Sequence, residues 1–296
     1  MSKIAILTDS SCDIPQELAD KYGIDIMSFT ITLDDVTYLE RIDCTTREFY
    51  GMMRTANGVP STAAITSLQY MEKYCEYLDK GYTQVLLMTI NRTGSSTHDN
   101  AIMGLRMLDE EHPGHGLKVR IVDSRTYSMT FGWYLCQAAR KIRNEAEVEY
   151  VARQLEEQMA CSEICLAAFT LKQMKKSGRV SAAAAFAGEL LGLRPIISLV
   201  DGQSKAESKV RGDAAVIPAM IKYVKSRVED VSQMEYQIAG TDDEEKLKEL
   251  EKACKKEFGH PPVNIFRLGG VVSANTGPDA LAITFLGANR GPAKQN

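Results

Sequence analysis

The sequence predicts an α/β fold in two α/β domains. Its 296 residues lie at the upper end of the size, roughly 250–300 residues, at which a single hydrophobic core stops growing. Short apolar runs alternate with amphipathic stretches from end to end, the pattern of strands and helices in layers rather than of a bundle or sandwich. A content of 44% hydrophobic and 25% charged residues excludes a disordered, fibrous or disulfide-stapled chain.

In the first half, apolar runs at 3–7, 24–32, 84–90 and 118–123 read as strands, each followed by a helical pattern. They predict an N-terminal domain over 1–160 with a doubly wound, largely parallel sheet. Helix ends are marked locally. Pro15 suits a first helical position with Asp13 as its cap, and Thr45 with Glu48 and Thr66 with Gln69 each match a capping box. Gly23 and Gly81 stand where left-handed C-terminal caps belong, so helices near 15–22 and 67–80 have both ends written in. The stretch 141–160 is charged and helical, with a break at Asn144 and Glu145, and the domain change belongs here. The second α/β domain, 161–290, has strand-like runs at 164–169, 195–200, 234–239, 263–268 and 281–286. It also has an alanine-rich helix from Ser181 and a charged helix over 242–258 whose polar side reads as a solvated face. The tail from Arg290 to Asn296 reads as a frayed end.

A net charge of −4 gives no global attraction to phosphate backbones, so no nucleic-acid partner is expected and any anionic ligand must be captured locally. The opening apolar run Ile4-Ala5-Ile6-Leu7 is too short for a signal peptide. Nothing approaches the about 20 apolar residues of a membrane span; Gly192, Arg194 and Pro195 interrupt the longest candidate. A soluble cytoplasmic protein without stable membrane insertion is expected. Seven cysteines, of which only Cys161 and Cys165 lie close together, fit reduced, mostly buried thiols.

The most informative segment for chemistry is Thr89-Ile90-Asn91-Arg92-Thr93-Gly94-Ser95-Ser96-Thr97-His98, which joins a strand to a helix beginning near Thr97. Small hydroxyl residues and a glycine at the positive end of a helix make a site for a carboxylate or phosphate, and serve equally as an N-cap with surplus polar residues. A second hydroxyl pair, Ser61-Thr62, precedes the capped helix near Ser67. Loops after successive strands lie side by side at the carboxyl edge of a doubly wound sheet, which would bring both clusters to one ligand. Asp9 and Asp13 suit a metal or acid–base role, but Asp13 fits a helix cap better. His112 and His115 flank a turn without cysteine or clustered carboxylates nearby, so no metal site is expected. His98 either approaches a ligand or faces solvent from a first helical turn. Met52, Met53, Phe169, Phe186 and Leu190 suit a core or an acyl tunnel, which the sequence does not separate. No nucleophile elbow, Walker A motif or dinucleotide fingerprint is present, and no cofactor is expected.

Motifs in series give the chain a family likeness. Thr8-Asp9-Ser10, Pro60-Ser61-Thr62, the loop 90–101, Val122-Asp123-Ser124, the run Lys176-Ser177-Gly178-Arg179-Val180-Ser181, Arg194-Pro195-Ile196, Asp201-Gly202 and Thr276-Gly277-Pro278 resemble, in order and spacing, the DegV family over nearly the whole length. The resemblance implies a long-chain fatty acid in a tunnel between two α/β domains, presented by a carrier to a separate fatty acid kinase that phosphorylates the carboxylate. It implies Thr62 and Ser95 as direct carboxylate ligands, with Ser96 and Asn275 beside them, and Arg179 as a supporting cation or partner-docking residue. Departures accompany it. Asn275 stands where the family has histidine, Ser96 replaces a loop glycine, and Ala63-Ala64-Ile65 replaces a Ser-Gln-Pro sequence. The competing reading is an enzyme or binding protein for a small phosphorylated or carboxylated metabolite. A third is an interaction module whose ligand site has decayed.

Overall fold

The computed structural model describes residues 3–180 and 192–288. β1 (Ile4–Asp9), β2 (Ile24–Met27), β6 (Gln84–Thr89) and β7 (Lys118–Asp123) form a parallel sheet in the order β2-β1-β6-β7. Parallel strands covered on both faces read as unbroken apolar runs, and Val85 to Met88 are all buried. Ala5, Leu7, Val85 and Leu87 face α3 (Ser67–Asp79) and α4 (Thr97–Glu111), whereas Ile6, Leu86, Met88 and Val122 face α1 (Gln16–Tyr22), α5 (Met129–Arg143) and α6 (Val148–Met159). Both capping boxes are formed, at Thr45 before α2 (Thr46–Thr55) and at Thr66 before α3, and Gly23 and Gly81 adopt the left-handed conformation.

After α6 the chain enters a second sheet, mixed and six-stranded, in the order β10-β9-β8-β13-β11-β12. Its strands are β8 (Ser162–Ala168), β9 (Leu193–Val200), β10 (Gln203–Arg211), β11 (Tyr236–Gly240), β12 (Asn264–Arg267) and β13 (Ala280–Leu286). Alternation along β8 assigns its faces: Cys165 and Ala167 pack with α8 (Val216–Arg227) and α9 (Glu244–Phe258), while Ile164, Leu166 and Ala168 turn inward and share one core with α5 and α6. The order through the molecule is therefore α3/α4, parallel sheet, α1/α5/α6, mixed sheet, α8/α9. No helix among the described residues is long and apolar enough to cross a membrane.

Several expectations are corrected. The apolar run 24–32 is two strands in different sheets. β2 ends at Met27, the Phe29 amide donates to Ser10 Oγ at 2.9 Å instead of a ladder partner, and β3 (Thr30–Leu33) joins β4 (Val36–Leu39) and β5 (Ser61–Ala63) in a small antiparallel sheet. The β3–β4 turn is Asp34-Asp35, both with positive φ, and the Asp34 carboxylate accepts the amides of Asn57 and Gly58, at 3.0 and 2.7 Å. β10 was likewise not expected; Asp201-Gly202, both at positive φ, turns β9 back into it. Asp13 does not cap α1, whose N-cap is Pro15; it ends a single 3-10 turn, Ser10–Cys12, in the left-handed region and faces inward. The helix expected from Ser181, with Phe186 and Leu190, and the tail 290–296 lie outside the described residues.

Candidate functional site

The loop between β6 and α4 is held by a buried aspartate. Asp9, at the end of β1, accepts the Ile90 amide at 2.7 Å and the Ser11 amide at 3.1 Å, and burial pushes its carboxyl up to about 6. Asn91 continues the clamp: its amide nitrogen donates to the Thr126 carbonyl at 3.1 Å and its Nδ2 to the Tyr127 hydroxyl at 2.8 Å. Gly94 rests against that ring so closely that a Cβ would stand 2.6 Å from the Tyr127 oxygen, which makes glycine the residue the loop needs there. The path leaves Ser95 and Ser96 at the N-terminus of α4. Ser95 Oγ and Thr97 Oγ1 are 2.9 Å apart, the Thr97 amide donates to Ser95 Oγ at 3.3 Å, and Ser96, the N-cap, makes no side-chain cap bond.

Thr62 comes from the middle of β5, opposite Ile31 of β3. Asn275 comes from α10 (Gly270–Thr276), whose start is fixed by the small sheet. Glu40 Oε1 accepts the Val271 amide at 2.7 Å while its other oxygen accepts from Ser10 Oγ. A Cβ at Gly270 would lie 2.8 Å from Ile31 Cδ1 and 3.0 Å from Glu40 Oε1, so any larger residue there would have to push those two side-chain ends aside. Asn275 Nδ2 donates to the Val271 carbonyl at 2.7 Å, leaving its second N–H and its Oδ1 for other partners. Arg179 follows α7 (Lys172–Ser177) and its left-handed Gly178, and its Nε donates to the Gly94 carbonyl at 3.0 Å. The guanidinium therefore joins the mixed-sheet half of the chain to the serine loop.

All five predicted residues, Thr62, Ser95, Ser96, Arg179 and Asn275, line one cavity. Its body is apolar, with Ile164, Leu166, Leu199, Phe266 and Ala282 from the inner face of the mixed sheet. Arg179 is the one formally charged side chain among its described lining residues. Sequence reasoning missed Tyr127, Ser128, Thr130 and Thr284, which also line it. A lone threonine within the apolar run 281–286 was the available signal for Thr284; nothing local marked the others.

Other candidates take structural places. His98 is not solvent-facing: it is 7% exposed, its Nδ1 lies 3.0 Å from Thr89 Oγ1, and it pins the first turn of α4 to β6. Burial lowers its pKa, and it does not line the cavity. His115 Nε2 meets Asp109 at 2.9 Å at the surface. Asp13 accepts from Ser128 Oγ and stands near Glu40; burial, then the Glu40 carboxyl, push it up to about 8. No group of three or more metal-ligating side chains occurs among the described residues.

A parallel and a mixed sheet with a cavity lined by apolar side chains and several hydroxyls define an α/β protein of the two-sheet, cavity-bearing class. The chain belongs to the DegV family: the family model described as an uncharacterised protein of the DegV family matches residues 3–288. A DegV domain-containing protein of Caldanaerobacter subterraneus is 29% identical over 285 residues, covering 96% of this chain and 99% of the relative. One from Staphylococcus aureus is 27% identical over 290 residues, covering 96% and 98%. Among solved structures, a DegV lipid-binding protein from Thermotoga maritima is 25% identical with a TM-score of 0.83, covering 98% of this chain and all 100% of its own. A stearic-acid-binding protein from Eubacterium ventriosum has a TM-score of 0.88 at 21% identity, covering 97% and 98%, a likeness of fold.

Proposed function

We propose that the protein is a cytoplasmic carrier of a long-chain fatty acid, with 1–160 and 161–290 as its two domains and the acyl chain in the cavity between the sheets. The observation that carries this reading is the convergence of Thr62, Ser95, Ser96, Asn275 and Arg179, from four separate parts of the chain, on one cavity that is otherwise lined largely by apolar side chains. A carboxylate withdrawn from water is costly unless hydrogen-bonded or paired, and hydroxyls at the positive end of α4 with a guanidinium beside them meet that requirement. The acyl chain needs only apolar area, at about 25 cal/mol per Å² removed from water. The lipid-binding relative from Thermotoga maritima supports the reading.

In this proposal Thr62 and Ser95 donate to the carboxylate, Ser96 and Asn275 complete the polar end, and Arg179 supplies the cation. No nucleophile or base is required of this chain, because a separate fatty acid kinase phosphorylates the carboxylate. The exposed Arg179 at the mouth is the contact offered to that kinase. Mass spectrometry of the natively purified protein, with solvent extraction of what it carries, tests the reading. A stoichiometric fatty acid is expected. An extracted phosphorylated metabolite, or a protein that carries nothing and takes up no added fatty acid, would overturn it.

A further inference from the structure

Two buried hydroxyls, outside the five polar residues assigned above, line the cavity, and a plain hydrocarbon chain offers them nothing. Thr130, at the start of α5, is 1% exposed and lines the cavity, and its Oγ1 has no hydrogen-bond partner among the described residues. Thr284, on β13, is 2% exposed and lines the same cavity beside its register partner Ile164. Gln237 ties the two sites together: its Nε2 donates to the Met129 carbonyl at 3.2 Å and to Thr284 Oγ1 at 3.4 Å, and its Oε1 accepts from Asn264 Nδ2 at 3.4 Å. With Thr284 Oγ1 as acceptor, its own hydroxyl hydrogen is left to turn toward the cavity. β13 leads away from Thr276 at the polar end, so Thr284 stands about 13 Å beyond Ala280 along the strand, well down the path of an extended ligand.

A buried hydroxyl without a partner is destabilising by about 1–3 kcal/mol, and valine would fill the same volume without that loss. From this pair we infer that the cavity selects an acyl chain bearing a hydroxyl part-way along its length, whose oxygen accepts from Thr284 and whose hydrogen is donated to Thr130 Oγ1. The inference rests on the fatty-acid reading above and narrows it to the class of mid-chain hydroxy fatty acids.

Calorimetric titration of the full chain with stearic acid and with hydroxyoctadecanoic acids carrying the hydroxyl at successive positions tests it. One narrow range of positions should bind about five- to tenfold more tightly than stearic acid, and in Thr130→Val that ratio should fall to about one. Thr284→Val should also lower it, and thermal melting checks that both variants fold. Binding of stearic acid with no preferred hydroxyl position, or a preference unchanged in both variants, overturns the inference and leaves the carrier reading standing. Failure of every acid to bind overturns the carrier reading and this inference with it.

Discussion

Arg179 donates from Nε to the carbonyl of Gly94 at 3.0 Å, a bond across 85 residues of sequence that links α7 to the loop carrying Ser95 and Ser96. Arg179 also lines the cavity, with further guanidinium donors beyond the one engaged by Gly94. Arg179→Ala should therefore do two things at once. Fatty-acid affinity should fall by about three- to tenfold, a modest loss because the side chain is exposed. Amide exchange over 91–96 should quicken as the loop loses its tie. Arg179→Lys should restore part of the affinity and little of the protection, since an ammonium lacks the planar fork. Unaltered affinity and exchange in Arg179→Ala would remove the residue from the site.

Thr62, on β5, and Ser95, in the loop before α4, reach the cavity from different parts of the chain, so their contributions to the proposed carboxylate site are separable. Each alanine variant should weaken fatty-acid binding by about 1–3 kcal/mol through loss of a hydrogen bond to a charged group. The double variant should lose less than the sum, because both act on the same ligand oxygen pair. Titration of a long-chain fatty acid into the variants reads this directly; unchanged affinity in both single variants would refute the assigned polar end.

The Asp13 carboxyl sets a pH dependence on stability. In the fold it is pushed up to about 8 from an ordinary 3.8, by burial first and then by Glu40. Between about pH 4 and 8 the folded protein therefore holds a proton that the unfolded chain releases. A state that binds more protons when folded loses stability as pH rises, so stability should decline across that window. Asp13→Asn keeps an acceptor for Ser128 and cannot ionise. Thermal melts at pH 5 and pH 8 should differ less in Asp13→Asn than in the wild type, with the variant gaining most at the higher pH. Asp9, raised to about 6, stays in both proteins and leaves a residual slope at lower pH. Parallel curves for the two proteins would contradict this account.

What the sequence made legible is what depends on neighbours a few residues away. Thr45 with Glu48, Thr66 with Gln69, and the caps at Gly23 and Gly81 are local bonds and local backbone conformations, and each is formed. The runs at 84–90 and 118–123 declared strands for the same reason, the first buried through most of its length and the second the partly exposed edge of the parallel sheet. The run 24–32 misled because β2 and β3 are equally apolar, and only the partner strands, distant in sequence, decide that Met27 ends one sheet and Thr30 begins another. Asp13 and His98 were misread because a cap and a buried anchor draw on the same residue types. Their burial follows from Ser128 and Thr89, which nothing near them announces. Of the five polar residues of the cavity, Ser95, Ser96 and Thr62 stand out in the sequence as hydroxyl clusters before helix starts, whereas Asn275 and Arg179 come from the family likeness. No spacing rule joins Thr62 to Asn275.

Asn275 is the departure whose consequence can be measured. Its Nδ2 is engaged by the Val271 carbonyl, which aims the amide along α10 and leaves one N–H and one oxygen for the cavity it lines. An amide there can hydrogen-bond a carboxylate but neither carries charge nor exchanges a proton near neutral pH, whereas an imidazole does both. Asn275→His should therefore preserve fatty-acid binding within about threefold, because one donor replaces another. Acyl-phosphate formation with a fatty acid kinase should rise, most steeply below about pH 6.5, where an imidazolium would offset the charge of the ligand and the incoming phosphate. Acyl phosphate measured against time, with wild type and variant at saturating fatty acid, distinguishes the cases. A variant that no longer binds shows that position 275 cannot hold an imidazole. One that binds with an unchanged rate shows that asparagine serves as well as histidine at this position.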